Sequence, residues 1–213
     1  MLVGERMSRP PITIGPEMSI NDALALFKKE RIRRAPVIKG GKLVGIVSEK
    51  DLLNASPSPA TTLSIWEMNY LLSKLTVAEV MTKNVITVAE DTPIEEAARI
   101  MADNKIGGLP VVKGARVVGI ITETNLFKMF LELMGARERG VRATALIEDQ
   151  PGMLAKVTRT IADAGGNFIA FGQFVGEDVN TRVITFKVNG MDQAQVKKVL
   201  TPLIKKLWDI REV

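Results

Sequence analysis

Two stretches of the chain carry apolar residues at the same helical spacing: Ile20, Ala23, Leu24 and Phe27, and Ile94, Ala97, Ala98 and Met101. Both follow the i, i+3, i+4, i+7 stripe of an amphipathic helix. Ahead of each stands a short β-prone run, Ile12-Thr13-Ile14 or Val85-Ile86-Thr87-Val88. Behind each come Pro36-Val37-Ile38 or Pro110-Val111-Val112, a glycine turn, and an unbroken apolar run, Leu43 to Val47 or Val117 to Ile121. Continuous apolar runs of this length predict strands buried on both faces. A second helix opens at once, at Ser48-Glu49-Lys50-Asp51-Leu52 and at Thr122-Glu123-Thr124-Asn125-Leu126. Ser19 with Asp22, and Thr92 with Pro93 and Glu95, supply caps for the first helices, one residue out of register with each other. The pattern therefore predicts a β-α-β-β-α unit, twice.

The two units are copies. Met7 and Met81, Pro36 and Pro110, and Gly45 and Gly119 are each 74 residues apart, a fixed period that marks a duplicated unit. Repeat one spans 7–55 and repeat two 79–134, and the pair fills 1–135. Between them, 56–78 holds the loop Ser56-Pro57-Ser58-Pro59-Ala60-Thr61-Thr62 and a connecting helix with Ile65, Met68, Leu72 and Leu75 on one face.

The last third, 141–213, has a different pattern, reached through a glycine-flanked hinge, Gly135 to Gly140. Val141 to Ile147 is strand-like; Pro151-Gly152 opens a helix with Leu154, Val157, Ile161 and Ala164 inward; Gly165-Gly166 ends it. Asn167 to Val175 and Arg182 to Val188 read as strands around the turn Gly176-Glu177-Asp178. A last helix carries Val196, Val199, Leu200 and Leu203, with Pro202 predicting a kink, before Trp208 to Val213. The order β-α-β-β-α-β is ferredoxin-like, so the fold class is α+β.

Composition narrows the chemistry. The 213 residues include no cysteine and no histidine, which removes the commonest general base, the thiol nucleophile and the usual transition-metal ligands. Catalysis is disfavoured, and no cofactor or metal is expected. The net charge of +5 is spread along the chain, which suits an anionic ligand and does not argue for nucleic acid. Glu5 and Arg6 follow the start with no apolar segment behind them, and the longest apolar runs are far below membrane length. A cytoplasmic, unanchored protein is expected.

The leading Met, the apolar-Pro-Val strand and the Gly-apolar-apolar-Ser/Thr-x-x-Asp/Asn run, present in both copies, resemble the CBS motif. The resemblance implies two repeats packed into a module with two clefts, usually dimerising, with an adenine nucleotide as ligand. It places a phosphate at the Ser or Thr hydroxyl and the ribose diol on the Asp three residues later. Those positions are Ser48 with Asp51, and Thr122 with Asn125. Arg33 and Arg34 resemble the basic pair that holds phosphates, with Lys50 beside them, and the base is implied near Ile86 and Gly107 of the other copy. The matching second cleft, with Ile12, Thr122 and Asn125, has Gly107-Gly108 in place of the arginines and is expected to be weak or empty. Ser48-x-x-Asp51 is equally an ordinary helix capping box that needs no ligand, and Arg31, Arg33 and Arg34 are equally a solvated charge run.

Asp149-Gln150-Pro151-Gly152-Met153-Leu154, followed by Asn167, resembles the ACT domain. That resemblance implies edge-to-edge pairing and, where an amino acid binds, a site near the turn and the Asn: Asp149, Gly152, Met153 and Asn167. A CBS pair joined to an ACT domain is similar to the acetoin-utilisation type of CBS-ACT protein. The function it implies is a non-catalytic ligand sensor acting as a homodimer, against the alternatives of a ligand-free dimerisation scaffold or an enzyme or enzyme subunit.

Overall fold

The computed structural model describes residues 1–55, 64, 67, 70 and 74–213. The expected loop 56–62 and the face of Ile65, Met68 and Leu72 lie outside the described residues. The chain divides into two compact units, Met1–Leu126 and Phe127–Val213.

In the first unit, α1 (Val3–Arg6), α2 (Ile20–Glu30), β1 (Arg34–Lys39), β2 (Lys42–Ser48) and α3 (Glu49–Asn54) are matched by α4 (Val77–Val80), α5 (Ile94–Asn104), β4 (Gly108–Lys113), β5 (Arg116–Thr122) and the start of α6 (Glu123–Leu133), which continues into the second unit. A two-residue strand, β3 (Val88–Ala89), precedes α5. Hairpins β1-β2 and β4-β5 are antiparallel, each with an irregularity at the same repeat position, Val37/Ile38 and Val111/Val112. Helices α2 and α5 both end on left-handed residues, Arg31 (φ 52°) and Lys105 (φ 54°). These are equivalent positions, so the duplication extends to the strained backbone that stops each helix.

The leading β runs are shorter than the sequence predicts. Val85-Ile86-Thr87-Val88 enters the sheet only at Val88–Ala89, parallel to β4, and Ile12-Thr13-Ile14 contributes one bridge, Ile14 to Val37. The reason is that each leading segment crosses between repeats. Thr82 pairs with Ile46 of β2, and Ser8 pairs with Ile120 of β5. A segment that starts on one sheet and finishes on the other leaves only its end for the ladder. Glycine permits the crossing: a Cβ on Gly45 would meet Met81 Cγ at 2.9 Å, and one on Gly119 would meet Met7 Cγ at 2.9 Å.

The helical stripes bury as their spacing predicts, with Ile20, Ala23 and Phe27 packed on Ala35, Val37, Val47 and Leu52. Ser19 caps α2 through Asp22 N. Thr92 does not cap α5: Pro93 holds the cap position, and the Thr92 hydroxyl accepts from Ala89 N instead. Proline leaves the hydroxyl to close the preceding turn.

The second unit contains β6 (Val141–Glu148), α7 (Met153–Asp163), β7 (Asn167–Val175), β8 (Thr181–Asn189), α8 (Gln193–Leu200), a 3-10 turn (Thr201–Leu203) and β9 (Lys206–Glu212). The strands form one sheet in the order β7-β8-β6-β9, antiparallel throughout, the ferredoxin-like arrangement. Ala143, Ala145, Ile184, Phe186 and Val188 share the face that packs on Val157, Ile161, Val196 and Leu200. Leu154 and Ala164, expected inward on α7, are exposed, while Met153 packs on the core. Because α7 begins at Met153, its buried row runs Met153, Val157, Ile161. Pro202 does not kink α8; the helix stops at Leu200 and the proline sits in the 3-10 turn.

The opposite face of the sheet is closed by a lysine. Lys187 is 5% exposed and its Nζ donates to Gly135 O at 2.8 Å and Glu138 O at 2.9 Å. The segment read as a hinge is thus pinned under β8. Lys187→Met keeps the length but not the donor, and urea unfolding should show a loss of about 1–3 kcal/mol.

Candidate functional site

The crossing of Thr82–Ile86 onto β2 makes a cleft whose walls belong to both repeats. Its cavity, of about 480 Å³, is lined from repeat one by Arg33, Arg34, Ile46 and Ser48 to Asp51. From repeat two come Thr82, Asn84 to Ile86 and Lys105 to Gly108. Arg33, Arg34, Ser48, Lys50, Asp51, Ile86 and Gly107, separated by up to 74 positions in sequence, therefore face one space.

At the mouth of β2 the backbone turns into α3. Asp51 Oδ2 accepts from Ser48 N at 2.8 Å and Ser48 Oγ at 2.6 Å, and Ser48 Oγ accepts from Asp51 N at 3.3 Å. The capping box is formed, and both bonds to the carboxylate fall on one oxygen. The other oxygen of Asp51 can accept from a further donor without unmaking the cap.

Arg34 crosses the cleft. A Cβ on Gly107 would stand 2.7 Å from Arg34 Nη1 and 2.6 Å from Glu123 Oε2, and one on Gly108 would stand 2.9 Å from Arg34 Cδ. The glycine pair is thus the bed on which the arginine of the other repeat lies, with the Glu123 carboxylate beside it. Burial has the largest effect on the guanidinium and lowers its pKa; Glu123 opposes this, Arg33 adds to it and Asp51 opposes it. Arg33 donates from Nη2 to Thr124 Oγ1 at 3.1 Å. Both arginines therefore meet the first turn of α6. Sequence reasoning placed Arg33 and Arg34 but missed Glu123; the signal was that glycines stand where the other copy has arginines, as close crossing requires.

The second cleft is built differently. Asn125 Oδ1 accepts from Thr122 N at 3.0 Å and from Thr122 Oγ1 at 2.6 Å. Its Nδ2 donates to Arg6 O at 3.1 Å and Ser8 Oγ at 3.4 Å. The amide is occupied at both ends in holding the leading segment, and Ile12 is half-buried in that segment.

In the second unit, Asp149, Gly152 and Met153 line a cavity of about 420 Å³ with Gln173 and Arg182. Asp149 pairs with Arg182 Nε at 2.9 Å, and Gly152 takes φ +84° to enter α7. Asn167 is not brought to them: it pairs with Asn189 at the end of β7 that lies beside Val141, whereas Glu148, one residue before Asp149, pairs with Thr181 at the other end of the sheet. Within one chain these four residues do not form one site.

Among the described residues no cluster of His, Cys, Asp and Glu could hold a metal, and no helix is long and apolar enough to cross a membrane.

Comparison with known proteins follows the same division. The CBS domain profile matches residues 3–58 and 77–132, and the ACT domain profile matches 143–204. The L-aspartate semialdehyde sulfurtransferase of Methanocaldococcus jannaschii is 36% identical over 131 residues, 61% of this chain but only 23% of that protein. A CBS domain-containing protein of Dictyostelium discoideum is 30% identical over 136 residues, 63% of this chain and 94% of that one. Among solved structures, the CBS domain pair of protein MJ0100, in complex with 5'-methylthioadenosine and S-adenosyl-L-methionine, is 35% identical with a TM-score of 0.52. It covers 65% of this chain and 98% of that one. A Vibrio cholerae protein assigned to acetoin utilization (AcuB) is 33% identical with a TM-score of 0.53, covering 64% and 95%. With CBS repeats matched over more than half its length and an ACT domain behind them, the chain belongs to the CBS-domain family, as a tandem CBS pair with a C-terminal ACT domain.

Proposed function

We propose that this protein is a non-catalytic sensor that binds an adenine nucleotide in the cleft between β1, α3 and the crossing segment Asn84–Ile86. The observation that carries the reading is the gathering of Arg33, Arg34, Ser48, Lys50 and Asp51 with the apolar Ile86 and Gly107 around one 480 Å³ cavity. That combination has a polar, cationic end for phosphate, a carboxylate for a diol and a flat apolar wall for a base. The adenosine ligands in the MJ0100 complex support the class of ligand. Arg33 and Arg34 hold the phosphate, the Ser48 hydroxyl turns to it by giving up its bond to Asp51 while Ser48 N keeps the carboxylate in place, and the uncommitted oxygen of Asp51 accepts from the ribose. The second cleft, with Asn125 spent on Arg6 and Ser8, binds weakly or not at all. Ligand binding shifts the population of two arrangements of a homodimer paired through CBS and ACT domains, and a site uniting Asp149, Gly152 and Met153 with Asn167 then requires two copies. The protein acts in the cytoplasm.

Asp51→Ala should weaken AMP binding about tenfold or more by calorimetry, since a bond to a charged acceptor contributes about 1.5–3 kcal/mol, while Asn125→Ala should change it little. Arg33→Ala and Arg34→Ala should weaken AMP far more than adenosine. Melting of each variant without ligand separates lost capping from lost binding. If no variant alters binding, the box at Ser48 is a cap alone and the scaffold reading prevails.

Light scattering at micromolar concentration should give the mass of two chains; the mass of one would contradict the pairing. Pure protein should neither hydrolyse nor oxidise or reduce AMP, ADP or ATP, and steady turnover abolished by a point substitution would make it an enzyme.

A further inference from the structure

The arginines of the cleft are not presented to a ligand alone. The sheets of the two repeats face each other so that Arg33 and Arg34, at the entry to β1, lie against the first turn of α6, the helix that follows β5. Arg33 donates to Thr124 Oγ1 at 3.1 Å. The guanidinium of Arg34 and the carboxylate of Glu123 flank the same point above Gly107, and Glu123 N is fixed there by donating to Gly107 O at 3.1 Å. The equivalent carboxylate of repeat one, Glu49, has glycines at the matching positions 107 and 108 of the other copy, so the opposition of acid and arginine arises in one cleft only.

The lining carries four cations, Arg33, Arg34, Lys50 and Lys105, against the carboxylates of Glu49 and Asp51. Glu123 is a third carboxylate, placed at the guanidinium nearest the bed of the cleft. Arg34 is half-buried and Glu123 stands exposed beside it, and charges this close, well within the screening length of physiological salt, mean that a phosphate approaching Arg34 meets the arginine's attraction and the acid's repulsion together. The repulsion grows with each further negative charge on the ligand, while a ligand without phosphate is indifferent to it.

We propose that Glu123 is a specificity-determining residue of this cleft: by sharing Arg34 with the ligand it biases the site against adenine ligands with several negative charges and towards those with fewer. The inference rests on the adenine-nucleotide reading above and adds the class of nucleotide that the cleft prefers.

The test is calorimetric titration of the full chain with adenosine, AMP and ATP, in the wild type and in Glu123→Gln. Glu123→Gln should raise the affinity for ATP relative to adenosine about fivefold or more, with AMP intermediate and adenosine unchanged. Glu123→Asp, which keeps the charge, should retain the wild-type ratio and shows that the fold at α6 tolerates change. Asp103→Asn removes the same charge from the exposed flank of α5, where it pairs with Arg99, and should leave the ratio unaltered. An unchanged ATP-to-adenosine ratio in Glu123→Gln overturns the proposal while leaving the nucleotide reading intact. An equal gain in Asp103→Asn overturns it too, since net charge alone would then explain the effect. Binding of none of the three compounds by wild type or variant sinks both the proposal and the reading beneath it.

Discussion

Each repeat is bridged by the segment that leads into the other. Residues 1–8 hydrogen-bond to repeat two, with Val3 N donating to Thr92 O and Gly4 N to Glu90 O, and Val77 N and Ala78 N donate to Met18 O and Pro16 O of repeat one. The same exchange brings Met7 over Gly119 and Met81 over Gly45. A larger residue at either glycine would have to push a thioether out of a packed layer, and close-packed interiors yield little. The exchange also decides where a ligand can go. Thr82, Asn84, Val85 and Ile86 line a wall of the cleft beside β2 because the chain must pass there on its way to β3.

Duplication supplies two clefts with one backbone, and a few side chains then divide them. In one, Asp51 spends a single oxygen on its cap; in the other, Asn125 spends its oxygen on the cap and its nitrogen on Arg6 and Ser8. The difference is chemical. A carboxylate has two equivalent acceptors and an amide has one acceptor and one donor, so only the acid can cap and still receive a diol. Gly107 and Gly108 are likewise not a lost copy of the arginine pair. They are the space into which Arg34 extends, which is why charge in one repeat and its absence in the other belong to the same site.

Much of this was legible in the chain itself. The phase of Ile20-Ala23-Phe27 and Ile94-Ala97-Met101, the offset of 74 and the change of pattern after Gly140 are local features, and local features predict local elements. What the sequence did not yield depends on distant partners. Val85 to Val88 has strand composition, but Thr82 is already paired with Ile46, so most of the run cannot join β4. Thr92 has cap composition, but Pro93 displaces it. Of the candidate site, Arg33, Arg34, Ser48 and Asp51 could be named from motif spacing. Glu123 could not, because its partner lies 89 positions earlier on another sheet. Asn167 and Asp149 sit close in the motif's order but at opposite ends of the folded sheet, since β7 runs the length of that sheet between its two ends.

On the reading proposed above, capping and binding at Ser48-x-x-Asp51 cooperate. A carboxylate held at 2.8 Å and 2.6 Å by its own helix start has lost its rotational freedom before any ligand arrives, and an acceptor that is already ordered costs the ligand less on binding. The arginines have neighbours too: Thr124 accepts from Arg33, and the carboxylate of Glu123 stands beside Arg34. On the proposal above, that carboxylate has the opposite effect on energy, because it competes with a phosphate for the charge of Arg34. On that reading the cleft orders its diol acceptor without penalty and its phosphate donors at a cost. The division of the chain falls within α6, after Leu126. The helix whose first turn meets Arg33 and Arg34 is then the element that continues covalently into the ACT unit.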